Sequence, residues 1–151
     1  MYYEVKISCI INEDGQERKR TDAFIVKAYS VIEAVTAFEK YMEDISGLNI
    51  YTEWETISVK TTPYTDIVNF DDYPATGTGK FYRVKINQMT VNEATGKEKK
   101  VPQYILILAS DIDGAKCEYE KFIKDWVIDV ELEAVSETKI IDFVANSQNN
   151  P

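Results

Sequence analysis

The stretch Tyr3-Glu4-Val5-Lys6-Ile7 returns later in the chain as Tyr82-Arg83-Val84-Lys85-Ile86. Apolar and polar residues alternate in both stretches, which predicts two half-buried β-strands. A second match follows in the same order, from Gly15–Lys19 to Gly96–Lys100. Matches that keep their order and nearly their spacing indicate an internal duplication.

Each copy has the pattern of two strands, a helix and a third strand. A turn with glycine follows the first strand, because a tight hairpin needs a residue that tolerates positive φ. The predicted return strands are Ala23–Ala28 and Gln103–Ala109, and the predicted closing strands are Trp54–Thr62 and Glu131–Ile140. The fold class is therefore α+β, with two tandem ββαβ repeats packed as one pseudo-twofold globule with antiparallel sheets. The repeats span residues 1–68 and 81–145, joined by a linker over 69–80 and followed by a tail over 146–151.

The helices are recognised by their caps and by apolar stripes at helical spacing. Ser30 and Glu33 have the spacing of a capping box, and Ser110 with Asp113 forms a weaker version. Such stripes form the core far more often than a cofactor pocket, and we interpret both as core. The stripes consist of Val31, Ala34, Val35, Phe38, Tyr41 and Met42 in the first helix, and of Ile112, Ala115, Tyr119, Phe122, Ile123 and Trp126 in the second.

Composition excludes several functional classes. The 151 residues include no histidine, which removes Ser-His-Asp and Cys-His sites and most transition-metal sites. The net charge of −9 excludes a globally basic nucleic-acid binder, although a local basic face remains open. The start of the chain lacks the apolar core of a signal peptide, and we expect a cytoplasmic protein. Cys9 and Cys117 are expected to be reduced and buried.

Several segments together resemble a known family. They are the opening Tyr2–Ile7, the turn Asn12–Gly15, and the segments Lys60–Ile67, Phe81–Ile86 and Ser136–Asp142. They look like a family of unknown function that consists of short cytoplasmic proteins from gut anaerobes and their tailed phages. The resemblance covers nearly the whole chain and implies a bacterial or phage accessory protein. It supplies no catalytic residues to transfer.

Two segments weakly suggest ligand chemistry. Asp111-Ile112-Asp113-Gly114 begins like a calcium loop, but the twelfth position, which needs a bidentate Glu, is Phe122. Gly77-Thr78-Gly79-Lys80 ends like a phosphate-binding loop, but the flanking positions hold Pro74 and Phe81 instead of glycine and a hydroxyl. We therefore interpret the aspartates as helix caps and the glycines as linker, and predict no enzyme activity, metal or cofactor.

The charge distribution suggests a binding surface. Residues 80–109 carry six basic and two acidic groups, whereas residues 2–29 carry five of each. Basic groups that follow a phosphate backbone, beside aromatic rings that stack on bases, are typical of single-strand binding. We expect DNA or RNA contacts from the hairpins and first strands, at Lys6, Arg18, Lys19, Arg20, Arg83, Lys85, Lys97, Lys99, Lys100, Tyr2 and Phe81.

Two other interpretations stay open. Lysine-rich hairpins also keep sheets soluble and discourage pairing at their edges, without any ligand. Alternatively, the protein is an interaction adaptor or inhibitor that engages a protein partner through its acidic helix faces or a sheet edge. No membrane partner is expected.

Overall fold

A computed structural model describes residues 1–45, 51–68 and 79–145. Most of the predicted linker and the whole predicted tail lie outside the described residues, as do Gly77 and Thr78 of the Gly77–Lys80 segment. The described elements are, in chain order, β1 (Tyr2–Glu13), β2 (Gln16–Lys27), α1 (Val31–Ile45), β3 (Tyr51–Thr61), β4 (Tyr64–Val68), β5 (Lys80–Val91), β6 (Glu98–Ala109), α2 (Ile112–Ile123), β7 (Val130–Glu137) and β8 (Ile140–Val144).

The chain is a mixed α+β protein whose eight strands form two four-stranded sheets, in the orders β3-β1-β2-β8 and β4-β6-β5-β7. Two compact units correspond to these sheets. Unit 1 combines Met1–Thr62 with the segment from Lys139 onward, and unit 2 is Pro63–Thr138. Thus β4 follows β3 in the chain but belongs to the sheet of unit 2, and β8 follows β7 but belongs to the sheet of unit 1.

The prediction that the sheets are antiparallel is wrong for one strand pair in each sheet. The pairs β2·β8 and β4·β6 are parallel, so both sheets are mixed. The predicted closing strand of the first repeat ends at Thr62, close to the end of β3, whereas that of the second repeat runs past β7 to Ile140, and β4 and β8 were not predicted as separate strands. Both are short and pair with strands distant in the chain, which leaves no local pattern to recognise.

Unit 1 packs α1 on one face of its sheet. The alternation predicted for β1 is confirmed, because Tyr3, Val5, Ile7 and Cys9 are all buried. Phe24 and Val26 of β2 join the same core, and α1 contributes Ala34, Phe38 and Met42 at intervals of four residues. The hairpin closes through Asp14 and Gly15, which both have positive φ, as a two-residue turn requires.

Unit 2 repeats this arrangement with α2. Tyr82, Val84 and Ile86 of β5 are buried against Ile105, Ile107 and Ala109 of β6. The helix adds Ala115 and Tyr119 to this core. Gly96, at φ +70, supplies the positive φ of the longer hairpin turn. The two sheets also share an irregularity, because the register of the β3 and β7 pairings shifts at Lys6/Ile7 and Lys85/Ile86, respectively.

The helix starts confirm one cap and correct the other. The Ser30 hydroxyl accepts from the Glu33 amide at 3.2 Å, and the Glu33 carboxylate accepts from the Tyr29 amide at 3.1 Å. In α2, however, the cap is Asp111 rather than Ser110, and it accepts from the Gly114 amide at 2.6 Å. Both predicted stripes began one turn too early, since the first residue of each helix, Val31 and Ile112, is largely exposed.

The two cysteines are both free but differ in exposure. Cys9 is buried in the core of unit 1, as predicted, whereas Cys117 is exposed on α2. Cys117 was expected in the core, but the buried stripe of α2 follows Ala115 and Tyr119, and Cys117 lies between them on a different face.

Candidate nucleic-acid interface

Three predicted cations of unit 1 form ion pairs with nearby carboxylates. The Lys6 ammonium lies 3.7 Å from Glu4, and the Arg18 guanidinium lies 4.0 Å from Glu13. Arg20 forms two contacts with Asp22, at 2.5 and 2.7 Å. These carboxylates reduce the positive charge that the first hairpin presents to a phosphate backbone.

The Arg20–Asp22 pair belongs to a polar network inside unit 1. Asp22 is only 1% exposed, and its second oxygen also accepts from the Tyr51 hydroxyl at 2.7 Å. The Cys9 thiol donates to the Arg20 carbonyl at 3.2 Å. The hydrogen bonds that Arg20 donates to Asp22 raise the pKa of Arg20, while burial raises the pKa values of Tyr51 and Cys9. Arg20 therefore has a structural partner that sequence analysis did not identify.

A second set of predicted cations lies on the face of the unit 2 sheet opposite α2. Lys85 pairs with Glu133 at 2.7 Å, and Lys100 pairs with Glu131 at 3.5 Å. The contact with Glu133 raises the pKa of Lys85, and the same contact lowers the pKa of Glu133. The Arg83 guanidinium lies over the Tyr104 ring, 4.4 Å from its centroid, in cation–π geometry.

The remaining predicted cations are exposed and have no carboxylate within 4.0 Å among the described residues. They are Lys19 near the first hairpin turn, and Lys97 and Lys99 near the second. Lys99 pairs with Thr90 in the register, so its side chain lies on the same face as Gln88 and Gln103. Lys97 lies just before the start of β6, in the hairpin turn.

The predicted aromatic contacts are placed differently from the expectation. Phe81 was assigned to the solvent face but is only 3% exposed. Its cross-strand neighbour Leu108 is equally buried, so this end of the sheet is covered on both faces. Tyr2 is half-buried, with its ring centroid 6.1 Å from that of Phe143. The partly accessible rings near the basic hairpin of unit 2 are instead Tyr104 in β6 and Trp126, which packs against the unit 2 core as predicted.

Each unit has a cavity next to its hairpin. In unit 1 it measures about 590 Å³, and its charged lining residues are Lys19, Glu53 and Glu55. In unit 2 a cavity of about 380 Å³ is lined by Gln88, Gln103, Asp125, Trp126, Val127, Ile128 and Val130. The Gln103 amide donates to the Gln88 carbonyl oxygen at 3.2 Å. Both volumes fall in the range of small-molecule sites.

The described residues contain neither a metal-binding cluster nor a membrane-spanning helix. No group of three or more Cys, Asp or Glu side chains within residues 1–45, 51–68 and 79–145 has the arrangement of a metal site. In that same part of the chain, neither helix has the length and apolar character needed to cross a bilayer.

These features define a class of α+β protein with two four-stranded mixed sheets, each packed against one helix within its own unit. The chain belongs to the family described as Domain of unknown function (DUF4494), whose model matches residues 1–146. No curated protein and no solved structure matches the chain.

Proposed function

We propose that the protein is a non-catalytic binding protein that engages single-stranded nucleic acid through the outer end of the β5–β6 hairpin. The observation that supports this surface is the pair Lys97 and Lys99. Both are exposed at the outer end of the hairpin, and among the described residues neither has a carboxylate in ion-pair distance. Cations without an intramolecular partner contribute most to counterion release when phosphates bind.

This surface is narrower than the set of residues expected from the sequence. Lys6, Arg18, Arg20, Lys85 and Lys100 would each have to exchange a carboxylate for a phosphate, which reduces the gain on binding. Arg83 and Tyr104 offer a stacked guanidinium and ring on the other face of the same hairpin. We therefore assign them an auxiliary role and give Lys97 and Lys99 the main one.

The test is fluorescence anisotropy of a labelled single strand, with a duplex of equal length as control. Replacing Lys97 and Lys99 by glutamate should weaken single-strand binding about tenfold at low salt and reduce the slope of log affinity against log salt by about 1.4. The matched control is the variant Lys40→Glu/Lys116→Glu, which changes the net charge equally at two exposed helix positions. That control should bind within about twofold of the parent.

Two results would contradict the proposal. One is an absence of single-strand binding by the parent protein even at low salt. The other is equal weakening by both charge-reversal variants, since this would show that the total charge of the protein, rather than the hairpin, controls binding.

A protein partner is the second candidate, favoured by strand β3. Among the described strands, β3 lies at the edge of its sheet, and it exposes Glu53, Glu55 and the apolar side chain of Ile57. An extended basic segment could add to this edge through main-chain hydrogen bonds. Replacing Glu53 and Glu55 by lysine should abolish the capture of such a partner and leave strand binding unchanged.

The family resemblance and the two units support two related proposals. We infer that the units are copies of one ancestral unit, because Ile7 and Ile86 pair with Asp22 and Gln103 at matching positions of their hairpins. The expected origin in gut anaerobes and tailed phages fits a binding protein with an accessory role. The corresponding biochemical expectation is that the two halves of the chain, expressed separately, associate with each other.

A further inference from the structure

We infer that the cavity of unit 2 receives one unstacked base of the bound single strand, with a preference for bases that carry an exocyclic amino group. This inference deepens the proposed function and rests on it. It is carried by three observations within unit 2: an exposed set of apolar side chains around an indole ring, an amide pair with unused hydrogen-bonding groups, and the two unpaired lysines beside them.

The apolar part of the cavity is formed by the segment after α2. Trp126 is half-buried, with its ring in an edge contact with Phe122 at 5.4 Å between centroids. The next residue, Val127, is fully exposed, and Ile128 is half-exposed. The Met89 amide donates to the Asp129 carbonyl at 3.0 Å, which fixes this segment to β5. The Trp126 indole ring lines a cavity that is open to solvent, so it is suited to stacking on a planar heterocycle.

The polar part of the cavity is the pair Gln88 and Gln103. Their mutual hydrogen bond uses one amide hydrogen of Gln103 and the carbonyl oxygen of Gln88. It leaves the Gln103 oxygen as an acceptor and the Gln88 amide group as a donor. Glutamine amides of this kind recognise adenine through its amino group and adjacent ring nitrogen. The carboxylate of Asp125, which also lines the cavity, is a further acceptor for an amino group.

The lysines complete the site on its outer side. Gln88 pairs with Val101, and Lys99 lies two residues from Val101 on the same face, about 7 Å along the strand. The carboxylate of Asp125 disfavours a phosphate inside the cavity, whereas Lys97 and Lys99 favour one outside it. A nucleotide with its base on Trp126 and its phosphate toward the lysines satisfies both conditions.

The equivalent position in unit 1 does not offer this site. There the register places Cys9 where unit 2 has Gln88, and Asp22 where unit 2 has Gln103. Asp22 is already bound by Arg20 and Tyr51, so its oxygens are occupied. We therefore assign base recognition to unit 2 alone.

The test uses the Trp54→Phe protein, in which Trp126 is the only tryptophan. Titration with an oligo-dA strand should quench Trp126 fluorescence and give about tenfold tighter binding than an abasic strand of equal length, which should not quench. An oligo-dT strand, which lacks the amino group, should bind more weakly than oligo-dA. The variant Gln88→Leu/Gln103→Leu should lose the preference for dA over dT and keep the salt dependence, whereas the control Gln16→Leu should keep both.

The outcomes separate this inference from the proposed function. If strands bind with the expected salt dependence but Trp126 responds equally to abasic and base-containing strands, the base site is wrong and the hairpin surface stands. If dA and dT bind equally while Trp126 is quenched, the assigned amide recognition is wrong. If the parent protein binds no strand at low salt, the hairpin surface and the base site both fail. The abasic comparison uses no glutamine variant, so it remains decisive if Gln88→Leu/Gln103→Leu does not fold.

Discussion

The two hairpins place different chemistry at the same point of their ladders. In unit 1, Ile7 pairs with Asp22, and the buried carboxylate is held by Arg20 and Tyr51. In unit 2, Ile86 pairs with Gln103, whose neutral amide donates a hydrogen bond to Gln88. The first arrangement satisfies a charge internally, and the second leaves hydrogen-bonding groups available beside a cavity.

Under the proposed function, this register position contributes to stability in unit 1 and to ligand binding in unit 2. A buried carboxylate must be fully paired, because an unpaired charge in the interior costs several kcal/mol. A half-buried amide pair tolerates incomplete bonding, because water or a ligand can satisfy the remaining groups. Predictions that alter the two sites separately therefore test this assignment of roles.

The largest effect is expected from Asp22→Ala. This change leaves the Arg20 guanidinium without its carboxylate and the Tyr51 hydroxyl without its acceptor. We expect the free energy of unfolding to fall by about 3 kcal/mol. This value is at the lower end of the range for breaking a buried ion pair, because Arg20 is partly exposed. Urea denaturation followed by far-UV circular dichroism measures this loss.

The matched control for Asp22→Ala is Gln103→Ala at the equivalent register position. Loss of one partly exposed amide contact should cost about 1 kcal/mol in the same assay. Equal losses for the two variants would show that the unit 1 network is no more important for stability than the amide pair. This result would contradict the difference that we infer between the two units.

A smaller effect is expected from Tyr51→Phe, which removes one of the three contacts to Asp22. We expect the free energy of unfolding to fall by about 1 kcal/mol at neutral pH. One hydrogen bond to the charged Asp22 is lost, but the carboxylate keeps both of its contacts with Arg20, which limits the effect. Urea denaturation of Tyr51→Phe and the parent protein at pH 7 measures it. No loss would show that the hydroxyl contributes nothing to the network.

The pH dependence of stability provides a further test of the role of Tyr51. Burial raises the pKa values of Tyr51 and of Tyr41, which donates to Asp142 at 2.8 Å. The unfolded state therefore releases these protons first, so the contribution of these tyrosines to stability is constant below about pH 10 and is lost as pH rises above it. In Tyr51→Phe the alkaline decline should be less steep than in the parent protein. An unchanged slope above pH 10 would mean that Tyr51 ionises equally in the folded and unfolded states.

The local features of the fold could be predicted from the sequence, and the long-range ones could not. The alternation of β1, the turn at Gly15 and the cap at Ser30 depend on residues close together in the chain, and all three are confirmed. The exchange of β4 and β8 depends on parallel pairing between distant segments. Its trace in the sequence is the break at Thr62 and Pro63, where the predicted closing strand ended, but no local pattern indicates that β4 belongs to the other sheet.

The candidate site was predictable only in its hairpin lysines. Arg20 was grouped with its basic neighbours, although Asp22 lies two residues away on the same strand face as Phe24, a pattern that indicates a buried ion pair. Phe81 was assigned to solvent from its phase, although the continuous apolar run of Ile105–Ala109 is typical of a strand covered on both faces. The cavity around Trp126 joins β5, β6 and the segment after α2, and such a meeting of distant residues leaves no motif.

The smallest effect is expected from Glu133→Gln, which removes the partner of Lys85 in unit 2. Both side chains are accessible to solvent, so water and salt screen their attraction, unlike that of Arg20 and the buried Asp22. We expect the unfolding midpoint to change within experimental error at high salt and only slightly at low salt. Because the variant also frees Lys85 on the hairpin, strand binding should become tighter rather than weaker. Weaker binding would show that Glu133 positions Lys85 for the ligand. The distinction between cations paired with a carboxylate and cations that can bind phosphate would then be wrong.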